Sequence, residues 1–129
     1  MDLLFSYSGR INRSQFWMAN IIQILTIFII FTGGLILIGT TDSGDNNLSV
    51  PVIVGLIALA IVFIGIIYSN ICTGIKRYHD HNKQGWWIFI TWVPVIGYAW
   101  YIIECGFLIG TEGPNSYGDD PLRGIARRN

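Results

Sequence analysis

The chain has 129 residues, 52% of them hydrophobic and only 12% charged, and its formal net charge is zero. In water that ratio would leave too little polar surface to keep a protein of this size dispersed, which excludes a soluble globular protein; the neutral balance gives no bulk attraction to nucleic acid. With three apolar runs assigned to a bilayer, too little chain is left for a second core, so residues 1–129 read as a single transmembrane domain.

In chain order, Asn12-Arg13-Ser14-Gln15 has the form of a capping box ahead of Phe16-Trp17, which predicts a first helical segment over about 13–39. Its apolar run, 16–38, meets the roughly 20 residues needed to cross a hydrocarbon core. Arg10 and Arg13 precede it as in a signal peptide, but the run is too long for one and has no small-residue cleavage site, so it reads as a retained anchor. Trp17 falls at the water end of the span. Residues 40–47 (TTDSGDNN) form a turn-rich polar loop, and Pro51 suits the first turn of a second helical segment over about 50–75.

Polar residues inside the two spans fall at one end. Asn20, Gln23 and Thr26 lie early in the first segment, and Ser69, Asn70 and Thr73 lie late in the second, so antiparallel helices bring them to the same depth. Amides and hydroxyls in lipid favour helix interfaces. Asn20 or Gln23 is therefore expected to bond to Ser69, Asn70 or Thr73. Gly65, Ser69 and Thr73 form a small-residue stripe that permits close approach, and a polar solute site at this depth is the alternative reading.

The third apolar segment, 86–109, contains Pro94, Gly97 and Glu104. Two basic residues precede the first span, none lies between the first and second, three lie between the second and third (Lys76, Arg77, Lys83) and three in the tail (Arg123, Arg127, Arg128). The charge rule puts the N-terminus in the cytoplasm and the 40–49 loop outside. A third segment turned back between Pro94 and Gly97 would gather all eight basic residues inside. Each limb would then be about 18 Å long, too short to cross, with a turn needing partners inside the protein. That need tips the expectation to a full crossing, with Glu104 near water either way.

The stretch Lys76-Arg77-Tyr78-His79-Asp80-His81-Asn82-Lys83-Gln84-Gly85-Trp86-Trp87 holds both histidines and three cations. Consecutive His79, Asp80 and His81 would point about 100° apart on a helix and cannot converge on a metal, so neither a metal nor another cofactor is expected. An acid and base without a matched Ser or Cys nucleophile give no catalytic set. The stretch reads as a cytoplasmic connector, its cations on anionic headgroups and Trp86-Trp87 anchored in the interface, with Arg77 and Asp80 paired. Cys72 and Cys105 read as small buried side chains rather than a disulfide framework. The tail, 110–129, opens with turn formers that fit neither a phosphate loop nor a calcium loop; residues 110–121 read as an ordered turn packed under the membrane domain, part of the expected binding face.

Four ordered blocks, GRINRSQFW (9–17), KRYHDHNKQGWW (76–87), VPVIGYAW (93–100) and GTEGPNSYGDDP (110–121), resemble the signature of the bacterial inner-membrane family called domain of unknown function 805. The resemblance runs from about residue 5 to 121. Tyr78 and Ile109 depart from it, where the family more often has Leu and Pro. It implies a small multi-span inner-membrane protein and brings no catalytic residues with it.

The expectation is thus an all-α integral membrane protein with three hydrophobic helical segments. As a non-enzymatic component it would bind lipid, a protein partner or a second copy, and no nucleic acid, through its cytoplasmic face. Candidate binding residues are Arg10, Arg13, Lys76, Arg77, His79, Asp80, Lys83, Trp86 and Trp87; candidate helix-packing residues are Asn20, Gln23, Ser69, Asn70 and Thr73. An oligomeric transporter or channel subunit is the leading rival, and a lipid-modifying enzyme using His79 and Asp80 comes third.

Overall fold

A computed structural model describes residues 4–39 and 50–123; the expected 40–49 loop and the basic residues Arg127 and Arg128 lie outside the described residues. Two long helices, α1 (Arg13–Gly39) and α2 (Val50–Asp80), dominate the fold, and both are long and apolar enough to span a bilayer. The chain is an all-α integral membrane protein.

α1 starts where the capping box places it. Asn12 Oδ1 accepts from the Gln15 amide at 2.8 Å and Gln15 Oε1 accepts from the Asn12 amide at 3.0 Å, which satisfies two free donors of the first turn reciprocally. The two helices run antiparallel, with Leu37 against Gly55, Gly34 against Leu59, and Gln23 against Ser69. Along most of their length Ile, Leu, Val and Phe side chains face outward, the surface expected of a helix pair solvated by lipid.

α2 runs five residues past its expected end at 75, so Lys76 to Asp80 form its last turns rather than a connector. Basic groups there offset the negative end of the helix dipole. The helix stops at Asn82, whose φ of +56° supplies the left-handed residue of a Schellman motif: Lys83 N–H donates to Tyr78 O at 2.9 Å and Asn82 N–H to His79 O at 3.0 Å.

The third segment does not cross. It rises along α2 as a 3₁₀ helix (Gly85–Trp92), turns at residues 93–95, and descends through α3 (Ile96–Tyr101) and a π-helical turn (Ile102–Phe107). The ascending limb starts with Gly85 against Ile75 and His79; the descending limb puts Tyr101 against Gly74 and Gly106 under Trp17. Both ends of the segment therefore lie at the same end of α2. The expectation of a full crossing is overturned because the turn meets its own backbone needs. Ile96 N–H donates to Pro94 O at 2.7 Å, closing a γ-turn at Val95 (φ +63°), while Val93, Gly97 and Ala99 N–H donate to Ile90, Val93 and Val95 carbonyls at 3.0 Å each. The limb is also short, about 16 Å at 2 Å per residue.

The buried core sits at this end of the helix pair, where Ile11, Phe16, Tyr78, Tyr101 and Cys105 pack together with Trp87, Ile88, Ile90 and Ile102 around them. Phe16 and Tyr101 meet edge to face, ring centres 5.7 Å apart. The hairpin closes because position 97 has no side chain: a Cβ there would collide with the Ile90 carbonyl. Gly97→Ala should lower stability in detergent by about 1–3 kcal/mol, the usual cost of overpacking. Gly34→Ala, whose Cβ would make an ordinary 3.5 Å contact with Leu59, should be neutral or stabilising. Thermal melts of the two variants side by side check both expectations.

Candidate functional site

Beneath the core is a buried cluster of charged side chains drawn from two distant parts of the sequence and closed by backbone carbonyls from a third. Asp80, at the last turn of α2, is 4% exposed and lies between two guanidinium groups, Arg10 from the segment before α1 and Arg77 one turn earlier. Arg10 Nε and Nη2 both approach Asp80 Oδ1 at 3.0 Å, and Arg77 Nη1 pairs with Oδ2. The rest of each fork is spent on carbonyl oxygens. Arg10 donates to Thr111 O at 2.6 Å, Gly113 O at 2.7 Å and Gly118 O at 3.2 Å; Arg77 donates to Cys105 O and Leu108 O, each at 2.6 Å. One carboxylate between two guanidiniums leaves a net positive charge, and these carbonyl dipoles together with the C-terminus of α2 balance it.

The tail is sewn onto the same place. Thr111 donates to Asp80 O through both its amide and its hydroxyl at 2.8 Å, and Asn115 Nδ2 donates to His79 O at 2.8 Å. The His79 ring stacks on Tyr117 at 3.9 Å, nearly parallel, with its Nδ1 3.3 Å from Gly9 O. Gly110 allows the approach, since a Cβ there would fall on the Asp80 carboxylate. Asp120, at the surface, accepts from the amides of Leu122 (2.8 Å) and Gly113 (3.0 Å), which lowers its pKa.

The expected site residues fall into different environments. Lys76 and Arg77 are buried, which takes two of the three connector cations away from the lipid headgroups expected for them, and Arg77 spends its donors on Asp80 and on carbonyls inside the fold; Arg10 is buried beside them. His79 and Asp80 are buried as well, tied to the tail. Arg13 is exposed and donates to Phe107 O at 3.2 Å. Lys83 pairs with Glu104 and lies 4.8 Å from the centre of the Trp87 ring. Trp86 is exposed and stacks on Trp87 at 5.3 Å. Gln23 donates to Ser69 Oγ at 2.9 Å across the helix pair, whereas Asn20, Asn70 and Thr73 bond back to carbonyls of their own helices.

Glu104, which the sequence placed near water, is 3% exposed; besides Lys83 it holds Trp100 Nε1 at 2.5 Å. The 110–121 turn packs under the membrane domain as its composition suggested, but that composition did not single out Thr111, Asn115 and Tyr117 as the residues that tie it to α2.

The face also carries an open cleft of about 340 Å³ at the foot of α1, where Asn12, Arg13 and Ser14 meet Ile109, Glu112, Asp120 and Leu122.

Two measurements follow from this geometry. Asp80→Asn leaves two buried guanidiniums without a carboxylate and should cost about 3–5 kcal/mol, whereas Arg77→Gln leaves Asp80 paired with Arg10 and should cost less. The double variant should lose much less than the sum in a thermal-unfolding cycle; additive losses would mean no coupling. The second concerns pH. Burial lowers the pKa of His81 and Arg77 lowers it further by repulsion, against the attraction of Glu104 and Asp80. The folded protein thus holds a neutral His81 while the unfolded chain takes up a proton near pH 6.5. This part of the stability is present above about pH 6.5 and declines as pH falls below it, and melts of His81→Asn should show a weaker decline than the unchanged protein.

Comparison with known proteins agrees with the membrane architecture. The chain is 33% identical over 119 residues to the inner membrane protein YhaI of Escherichia coli K12, covering 92% of this chain and 87% of that protein. It is 27% identical over 120 residues to the inner membrane protein YhaH, covering 89% and 86%, and 26% identical over 141 residues to the uncharacterized protein YiiR, covering 91% and 86%, both of the same strain. No solved structure matches. The family model described as protein of unknown function, DUF805, matches residues 4–119, and the chain belongs to that family.

Proposed function

We propose that the chain is a non-enzymatic component of the inner membrane that holds its described ends at the cytoplasmic face and binds a protein partner there. The carrying observation is the mixed character of the 340 Å³ cleft. Its lining combines Arg13, Glu112 and Asp120 with the apolar Ile109 and Leu122. Two carboxylates in its lining repel a phosphate headgroup, while a protein segment with a basic and an apolar side chain complements both features.

The acid and base groups of the neighbourhood support a binding role over catalysis. Both Asp80 oxygens are held by guanidiniums, His79 is packed under Tyr117, and Glu104 is held by Lys83 and Trp100. The orientation rests on charge. Arg10, Arg13, Lys76, Arg77, Lys83 and Arg123 belong to segments at one end of the helix pair, and the rule for basic residues makes that end cytoplasmic.

A photo-crosslinking residue at Leu122 in intact bacteria should give a discrete protein adduct, and Glu112→Lys should remove it without lowering the melting temperature. Lipid adducts alone would refute the partner reading. Independently, a membrane-impermeant thiol reagent should label a unique cysteine at Ser116 only after the cells are opened, in a background lacking Cys72 and Cys105; labelling of intact cells would put the tail outside.

A further inference from the structure

A second place on the molecule, within the apolar part of the helix pair, has a polar side chain whose bonding is incomplete. Gln23 is 4% exposed and spends its amide nitrogen on Ser69, which leaves Oε1 buried with no hydrogen-bond partner among the described residues. Exchanging the amide oxygen and nitrogen does not remove the problem, because either way one end of the group is unpaired. A buried amide in that condition is costly, more so where the surroundings are hydrocarbon and water cannot substitute. Gln23 lies six residues beyond Trp17, about 9 Å deeper along α1.

Gln23 lines a groove of about 260 Å³ between α1 and α2, together with Phe5, Ile22, Val62, Gly65 and Ser69. The groove floor is empty at Gly65, where an added Cβ would have nothing within 4 Å. Ile22 and Val62 at the rim are more than two-fifths exposed, so the opening faces lipid. Among the described residues no charged side chain lines it. The volume is too small for a helix and suits one flexible chain. The occupant is therefore neutral, comes from the bilayer, and carries a group that completes the hydrogen bonding of an amide.

From these features we propose that the groove binds a neutral lipid with a free hydroxyl, of the diacylglycerol or long-chain alcohol class, whose hydroxyl meets the unpaired amide atom of Gln23. A hydroxyl both donates and accepts, so it serves either orientation of the amide. The small residues Gly65 and Ser69 then have a purpose beyond helix approach: they leave room for the chain. The site is separate from the cytoplasmic-face cleft and does not depend on the partner reading.

The full chain would be reconstituted in phosphatidylcholine nanodiscs with one of three diazirine-bearing probes, a diacylglycerol, a long-chain alcohol or the methyl ether of that alcohol, and the labelled residues read by mass spectrometry. The alcohol, the diacylglycerol or both should label residues 22–26 and 62–69 about threefold more than the ether, the factor supplied by an average hydrogen bond in a membrane protein. Which of the two does so identifies the source of the hydroxyl. Gln23→Leu should erase the preference while labelling persists, and Gly65→Leu should fill the groove and abolish labelling there by every probe. Melts would be recorded for both variants, and the unchanged protein compared across probes tests the idea whether or not Gln23→Leu folds. Labelling by the ether equal to that by both hydroxyl-bearing probes, or labelling spread evenly over the lipid-facing surface, would overturn the proposal.

Discussion

A single buried carboxylate organises the polar end of this protein. Asp80 sits where the last turn of α2, the approach to α1 and the start of the tail would otherwise have no reason to meet. Its charge cannot be left bare in so dry a place, and the two guanidiniums that satisfy it must in turn be satisfied. The carbonyls of Cys105, Leu108, Thr111, Gly113 and Gly118 do this. The chain from 105 to 118 is thus held at α2 by the same charges, and the return of the third segment follows from where its last carbonyls are required.

The two parts of the molecule are stabilised by different physics. Along the spans, burial from water contributes little between helices already surrounded by lipid, so van der Waals contact and occasional hydrogen bonds such as that of Gln23 with Ser69 hold the pair. At the polar end the chain has a packed aromatic core, Phe16, Tyr78 and Tyr101, resting on the ionic cluster. The hairpin joins the two regimes. Its lipid-facing side chains, Trp92, Val95 and Ile96 among them, are exposed, while Tyr101 and Cys105 pack into the core.

Much of this was legible in the residues. The capping box, the two spans and the meeting of polar groups from α1 and α2 follow from short-range rules, and Arg77 with Asp80 from cations and one acid sharing a short stretch beside lipid. The return of the third segment was not secured, because two sound arguments conflicted. The charge distribution favoured it, while the need to satisfy a turn inside the membrane opposed it, and sequence alone did not reveal that residues 90–99 bond among themselves. Gly97 and Asn82 were signals that could have been given more weight, as a close approach and as a helix end. The burial of Arg10 and Arg77 was hidden for a related reason: their partners are mostly backbone carbonyls more than 25 residues away, which leave no mark in composition or periodicity.

The architecture depends on the third segment returning the tail to the base of α1. Ser14 and Leu122 line the same cleft. Nitroxide labels at these two positions, in a background lacking Cys72 and Cys105 and reconstituted in lipid, should give by pulsed electron resonance one narrow distance distribution well under the roughly 30 Å thickness of the hydrocarbon core. A main population at or beyond that thickness would place the two residues on opposite sides of the bilayer and contradict the fold described here.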